Sequence, residues 1–298
     1  MSSPNWDHLP LFFKKDVVSF LDVKSRFQLR KCSKSERELV DSIPLSIESV
    51  NLTLQPEFKE MLIYFQFWQQ FQYPIKIFRA INELMIIQDF FRLIQNKKTR
   101  MGSMVLDFTG NEKCLNILLE NIDEQQLKLK VSHFVWTTTG SMEMLSNVLK
   151  RLDSKVLKHL EIVYPPDNFS LSIFQKELVA LETIKFHNSF SESVKIEKFF
   201  CSKSFEISIP EFTQAMLESI IESFKQRDLP HKSHFTISAD ILEIDESNFY
   251  EPVPMGKKLV MCDKMCTFPM PTVTNTLIVC KSERDIEGVV PTQEMLKK

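Results

Sequence analysis

Six short segments in the middle of the chain alternate apolar and polar residues: 104–108 (MVLDF), 132–136 (SHFVW), 160–164 (LEIVY), 182–186 (ETIKF), 205–209 (FEISI) and 234–238 (HFTIS). A period of two is the pattern of a strand that buries one face. With Leu106, Phe134, Ile162, Ile184, Ile207 and Ile237 as equivalent centres, the steps are 28, 28, 22, 23 and 30 residues. Stretches of helical period lie between them, among them NEKCLNILLENI, SMEMLSNVLKRL and FTQAMLESIIESF. Two helix entries correspond closely. Gly110 is followed at +5, +8 and +9 by Leu115, Leu118 and Leu119, and Gly140 at the same offsets by Leu145, Val148 and Leu149.

Strand, loop and helix repeated at this spacing is the rhythm of leucine-rich-repeat solenoids, in which no single unit buries its own helix stripe and stacking supplies the core. The asparagine ladder of such repeats is absent, so the repeats are degenerate. The expectation is an α/β chain whose residues 103–240 form a leucine-rich-repeat-like β-α solenoid with a parallel sheet, and an ordinary α/β domain is the other reading. The sheet residues alternating with the buried centres then face the open side. They are Asp107, His133, Val135, Glu161, Val163, Lys185, His187, Glu206 and Ser208, followed by Thr236 and Ser238. Their mixed charge suits a protein partner, and it equally suits a solvated sheet face.

Composition enters as a set of exclusions. The chain has 298 residues but only five glycines, where average usage is roughly 7%. They are dispersed at 102, 110, 140, 256 and 288, so neither GxGxxG nor GxxxxGK occurs. There is no GxSxG elbow either. The six histidines show no HExxH spacing, and the acidic run Asp240, Glu243, Asp245 and Glu246 lacks the spacing and central glycine of a calcium loop. Cys262 and Cys266 stand as CxxxC rather than CxxC, and His231 and His234 read as loop histidines after Pro230. Cys114 opens a helix but lies on its apolar stripe, so it reads as a structural thiol, and all six cysteines are expected to be reduced and buried. No constellation for catalysis emerges, and no cofactor or metal is expected. Net charge is -2, without the global basic field of a nucleic-acid binder. No apolar run of about 18 residues predicts a membrane span, and MSSPNWDHLP has no basic leader pattern. A cytoplasmic or nuclear location is expected.

Residues 5–50 form a unit of their own. Three helices are predicted at about 11–21, 24–32 and 34–43. Leu9-Pro10 precedes the first, where proline suits a helix start. Phe13, Val17, Val18, Phe20 and Leu21 fall on one stripe of that helix. Ser33 and Glu36 have capping-box spacing at the third, Leu39, Val40 and Ile43 form its apolar side, and Pro44 stops it. So small a helical unit needs a partner to bury its remaining apolar surface. Its basic residues Lys24, Arg26, Arg30, Lys31, Lys34 and Arg37 raise a nucleic-acid alternative, opposed by Asp7, Asp16, Asp22, Glu38 and Asp41.

The run Leu9-Pro10, Val17-Val18, Leu21-Asp22, Ser25-Arg26, Leu29-Arg30-Lys31, Arg37, Val40-Asp41 resembles the F-box, in the form found in the nematode F-box A family. VWTTTGSMEMLSNVLKRLDSKVLKHLEIVYP is similar to the centre of the FTH domain of those proteins, a likeness extended over roughly 103–240. The resemblance implies a non-catalytic subunit of a Skp-cullin-F-box ubiquitin ligase. Leu9, Pro10, Phe13, Val17, Val18, Leu21 and Leu29 would dock to the Skp adaptor, and through it to cullin. The repeat domain would recruit a protein target. A scaffold with no ligase role is the other class of function considered.

The remaining segments are read from pattern alone. Residues 51–102 are expected to link the two parts by a strand and helices, with 45–54 a strand anchored by Ile47, Val50 and Leu52. The aromatics of 58–78 read as core, and 82–95 as an amphipathic helix. Residues 241–298 are proline-interrupted, with possible strands at 257–261 and 275–281. They read as a cap on the sheet, followed by a charged tail frayed beyond about 283.

Overall fold

The computed structural model describes residues 6–21, 23–55, 60–67, 75–80, 87–88, 90–91, 94, 96, 98–110, 112–165, 178, 180–190, 199–200, 202–250, 263–271 and 276–292. The chain divides into two units, 1–104 with 111–131, and 105–110 with 132–298. The helices are α1 (Leu11–Phe20), α2 (Val23–Arg30), α3 (Lys34–Ser42), α4 (Glu112–Glu124), α5 (Met142–Leu149) and α6 (Gln214–Gln226). The strands are β1 (Ser46–Gln55), β2 (Glu60–Phe67), β3 (Ile75–Ala80), β4 (Arg100–Asp107), β5 (Val131–Trp136) and β6 (His159–Ile162). They continue with β7 (Thr183–Phe186), β8 (Ser204–Thr213), β9 (His234–Glu243), β10 (Lys264–Pro269), β11 (Thr276–Lys281) and β12 (Asp285–Val289).

In the first unit the strand order is β4-β1-β2-β3, with β1-β2 and β2-β3 antiparallel. The 58–78 region expected as aromatic core therefore contains much of two strands, where 51–102 was read as one strand plus helices. Its crowded aromatics obscure period two, although such residues favour strands. Ile47, Val50 and Leu52 are buried as expected. Gly102 has a packing reason: a Cβ there would stand 2.5 Å from the Glu48 carbonyl oxygen. Within 82–95, residues 87, 88, 90, 91 and 94 are helical, and Ile87, Phe90, Phe91 and Ile94 are buried. Cys114, Leu115, Leu118, Leu119 and Ile122 form the buried stripe of α4.

In the second unit the order is β10-β11-β12-β9-β8-β7-β6-β5. The pairings from β5 through β9 are parallel, as the strand-helix rhythm predicts. Leu106, Phe134, Ile162, Ile184, Ile207 and Ile237 are all buried. Register refines their equivalence. Phe134, Leu160, Ile184, Phe205 and Phe235 share one rung, while Trp136, Ile162 and Phe186 share the next. The centres chosen from sequence thus differ by two residues in places, which leaves them on the same face. Leu145, Val148 and Leu149 of α5 are buried, as are Leu217, Ile220, Ile221 and Phe224 of α6. The abundant phenylalanines become a continuous aromatic row. Phe199 stacks on Phe205 at 6.2 Å and Phe205 on Phe235 at 5.9 Å, and Phe224 of α6 meets Phe235 edge-on at 5.4 Å. Gly110 has φ 76 with open space around it, so its turn needs glycine for conformation rather than for room.

The C-terminal segment departs from a purely parallel sheet. The described residues 284–292 are not frayed: β12 pairs antiparallel with β9, and Ile286 and Val290 are buried. Strands β11 and β10 extend that edge as antiparallel neighbours. The expected strand at 257–261 lies outside the described residues. Gly288 stands opposite Phe235, where a Cβ would come within 2.0 Å of the ring. With Phe235 held between Phe205 and Phe224, only glycine lets β12 dock.

A surface clamp ties β10 and β11 to the preceding loop. The Glu246 carboxylate accepts from Lys264 of β10, and from Lys281 of β11 at 2.9 Å. Glu246, one member of the acidic run 240–246, is therefore already paired. The two ammonium groups, Lys264 foremost, pull the Glu246 carboxyl from 4.5 down to about 2. A carboxyl depressed in the folded state stabilises it above the unfolded value and loses that contribution as pH falls through the folded one. The β10-β11 hairpin is therefore expected to loosen between pH 4.5 and about 2. Glu246→Gln should flatten the pH dependence of unfolding in that window, and an unchanged profile would show the clamp to be inert.

Candidate functional site

The three N-terminal helices bury little of their apolar surface. Val18 of α1 and Leu39 and Val40 of α3 form the core, with Trp6, Leu21, Leu29 and Ile43 packed against it. The polar frame around this core is specific. Arg26 is 7% exposed, and its guanidinium donates to the carbonyls of Ser19 (3.1 Å), Leu21 (3.2 Å), Ile43 (3.4 Å) and Pro44 (3.4 Å). It thereby joins the C-terminal ends of α1 and α3, where helix carbonyls lack intrahelical donors. Burial lowers its pKa from the ordinary arginine value. Arg30 makes a two-point pair with Asp41 at 2.7 and 3.1 Å. The Glu36 amide donates to Ser33 Oγ at 3.2 Å, which is one half of the expected capping box. The Glu36 carboxylate turns instead to Trp6 Nε1 at 3.2 Å and Ser35 Oγ at 3.1 Å, and the Trp6 bond is the main reason its pKa falls.

What remains is an apolar surface on α1. Leu11, Phe12, Phe13, Val17 and Phe20 are exposed, from 40% at Val17 to 75% at Phe20, and the rings of Phe12 and Phe13 lie 4.6 Å apart. Exposed apolar side chains gathered on one short helix mark an interaction surface. Among the residues expected to dock, Phe13, Val17 and Pro10 are exposed, whereas Leu9, Leu21 and Leu29 are half-buried. Val18 is fully buried and belongs to the core. Leu11, Phe12 and Phe20 are the exposed members that the sequence reading left out of the docking set. Their signal was present: apolar residues cover more of α1 than one stripe can hold. The basic run is partly spent, since Arg26 serves backbone carbonyls and Arg30 serves Asp41. That removes two of the cations on which a nucleic-acid reading rested.

On the sheet, His133, Val135, Glu161, Lys185, Glu206 and Ser208 are half-buried and His187 is exposed. Val135, Glu161, Lys185, Glu206, Thr236 and Glu287 form one rung from β5 to β12. Many of these charges satisfy one another. Glu161 accepts from His133 Nε2 at 2.9 Å and from His187 Nε2 at 2.7 Å. Lys185 pairs with Glu206, and His234 Nε2 approaches Glu206 at 3.6 Å. Burial alone would raise the Glu161 carboxyl, but the His187 bond and the His133 interactions outweigh it and bring its pKa down. Burial, and then the charge of His133, lower the pKa of His159, whose ring lies 5.7 Å from His133. Asp107 and Val163 serve the backbone. Asp107 Oδ1 accepts from the Thr109 amide at 3.3 Å, and the Val163 amide donates to the Trp136 carbonyl at 2.8 Å. His234, the first residue of the strand segment read at 234–238, opens β9, and His231 contacts the Pro291 carbonyl oxygen at 2.6 Å.

Among the described residues no group of three histidines, cysteines or carboxylates could hold a metal ion, and no helix is long and apolar enough to cross a membrane. Cys114, Cys266 and Cys280 are buried thiols, and burial pushes Cys266 up to about 12. Cys32, in the turn after α2, is exposed, contrary to expectation. Cys201 and Cys262 lie outside the described residues.

Residues 6–48 match the F-box domain family. The three helices and the start of β1 are therefore an F-box domain, a module that typically docks to a Skp adaptor within Skp-cullin-F-box ligases. No curated protein matches the chain.

Proposed function

We propose that this protein is the non-catalytic substrate-recognition subunit of a Skp-cullin-F-box ubiquitin ligase, acting in the cytoplasm or nucleus. The observation that carries the reading is the exposed apolar face of α1 within an F-box whose other polar and apolar groups are largely satisfied. Docking of that face would bring the chain to the Skp adaptor and thence to cullin. The β-α repeats, with the likeness of 103–240 to the FTH domain of nematode F-box A proteins and to a degenerate leucine-rich-repeat solenoid, would hold the target. Ubiquitin transfer would then gain from proximity alone, because tethering raises the effective concentration of target lysines at the conjugating enzyme. The purified full-length chain is expected to bind a purified Skp adaptor with a dissociation constant of about 1 μM or tighter. No complex at roughly tenfold higher concentration would favour the scaffold without a ligase role. Affinity purification with and without residues 1–50 separates ligase partners, lost on truncation, from targets, which are retained.

A further inference from the structure

An open depression of about 290 Å³ lies over the middle of the parallel strands β8 and β9. Ser189, Ser208, Ser238, Asp240, Arg284 and Asp285 supply its polar lining. Backbone bonds hold the lining in place before any ligand arrives. The Phe190 amide, next to Ser189, donates to the Ser208 carbonyl at 3.1 Å, the Ala239 amide to the Arg284 carbonyl at 2.9 Å, and the Ser282 amide to the Asp285 carbonyl at 2.9 Å. Ser238 Oγ donates to Asp285 Oδ1 at 2.5 Å, which occupies one of that carboxylate's two oxygens. Among the described residues the side chains of Asp240 and Arg284 have no hydrogen-bond or ion-pair partner.

The charge balance selects the ligand. Two carboxylates face one guanidinium, so the depression is left with a net negative charge that one added cation neutralises. On the adjoining rung the charges are mixed, since Lys185 pairs with Glu206 and His234 approaches it. Burial, and then the charges of Asp285 and Glu206, raise the Glu287 carboxyl on the adjoining rung. The hydroxyls of Ser189 and Ser208 add acceptors for the N–H groups of such a ligand. An anion would be drawn to Arg284 and repelled by both aspartates.

We propose that this depression is a subsite for the cationic side chain, arginine or lysine, of a protein partner. The inference deepens the target-recruiting half of the function proposed above and rests on it, and its test requires no ligase component. The full-length chain is titrated with acetyl-arginine methylamide and acetyl-lysine methylamide, with the neutral citrulline analogue and with inorganic phosphate, while backbone amide shifts are followed by NMR. The capped cations should bind saturably at about millimolar affinity, shifting the amides around 208, 238–240 and 284–285, and citrulline should not. Asp240→Asn should weaken binding about tenfold, as expected for loss of a hydrogen bond to a charged group. Arg284→Ala should tighten it by removing the opposing charge. Both side chains are exposed, so an unchanged thermal melt verifies the fold of each variant. Phosphate binding abolished by Arg284→Ala, equal binding of citrulline, no effect of Asp240→Asn, or no binding of either cation would each overturn the proposal. Adaptor binding by the same preparation is read separately, so failure here leaves the docking of α1 standing, and failure there leaves this subsite standing.

Discussion

Replacing Phe12 and Phe13 together by aspartate is expected to weaken binding of the Skp adaptor by about a hundredfold or more while leaving the folded chain intact. Both rings are more than half exposed and contact each other, so little native packing is lost. Both positions lie in the first turn of α1, where a carboxylate interacts favourably with the helix dipole. The partner would suffer the whole effect, because each anchoring aromatic at an interface carries about 2 kcal/mol or more, and two add to more than a hundredfold in affinity. Calorimetric titration with the adaptor, paired with a thermal melt, reads both halves. Val18→Asp provides the contrast. Val18 is the one fully buried side chain of α1, so that substitution should lose the fold and adaptor binding together. If the double variant binds as the unchanged protein does, α1 is not the docking surface.

Arg26→Met is expected to destabilise the F-box helices by about 3 kcal/mol or more, the scale of removing one partner from a buried charged network. The guanidinium satisfies four carbonyls at the ends of α1 and α3. Methionine fills similar space but leaves those oxygens without donors. Arg26→Lys should fall between, because an ammonium offers three donors from a point and cannot spread across four acceptors. Hydrogen exchange across residues 11–42 should accelerate, and adaptor affinity should fall with the folded fraction rather than through a lost contact. A melt within a few tenths of a kcal/mol of the unchanged protein would mean that water replaces the guanidinium at these carbonyls.

The strand rhythm was legible because burial with period two is a local property that survives small errors of alignment. Choosing Ile162 in place of Leu160 as a centre misplaced a rung by one pleat and left the buried face correct. The β12 strand was obscured by Asp285 and Glu287, which read as a charged tail, although their alternation with Ile286 and Gly288 is itself a strand pattern. On α1 the difficulty was different. A stripe at helical spacing assigned Val18 and Phe13 to one surface, whereas one is core and the other exposed. Arg26 and Arg30 counted only as members of a basic run because nothing near them in the chain supplies their acceptors. Asp41 lies eleven residues from Arg30, and Pro44 eighteen from Arg26.

By itself the sequence determined the order and type of most elements, the boundaries of the three F-box helices to within two residues, and the buried face of each repeat strand. These follow from hydrogen-bonding geometry and apolar period, both readable over a few neighbouring residues. The tertiary structure alone decided which side of α1 turns inward. Apolar residues occupy more than one face of that helix, and only packing against Leu39 and Val40 selects Val18 and leaves the phenylalanines outside. It alone decided the charge pairing of the sheet face as well, because Glu161 meets His133 and His187 across neighbouring strands at separations of 28 and 26 residues, a contact that no local pattern encodes.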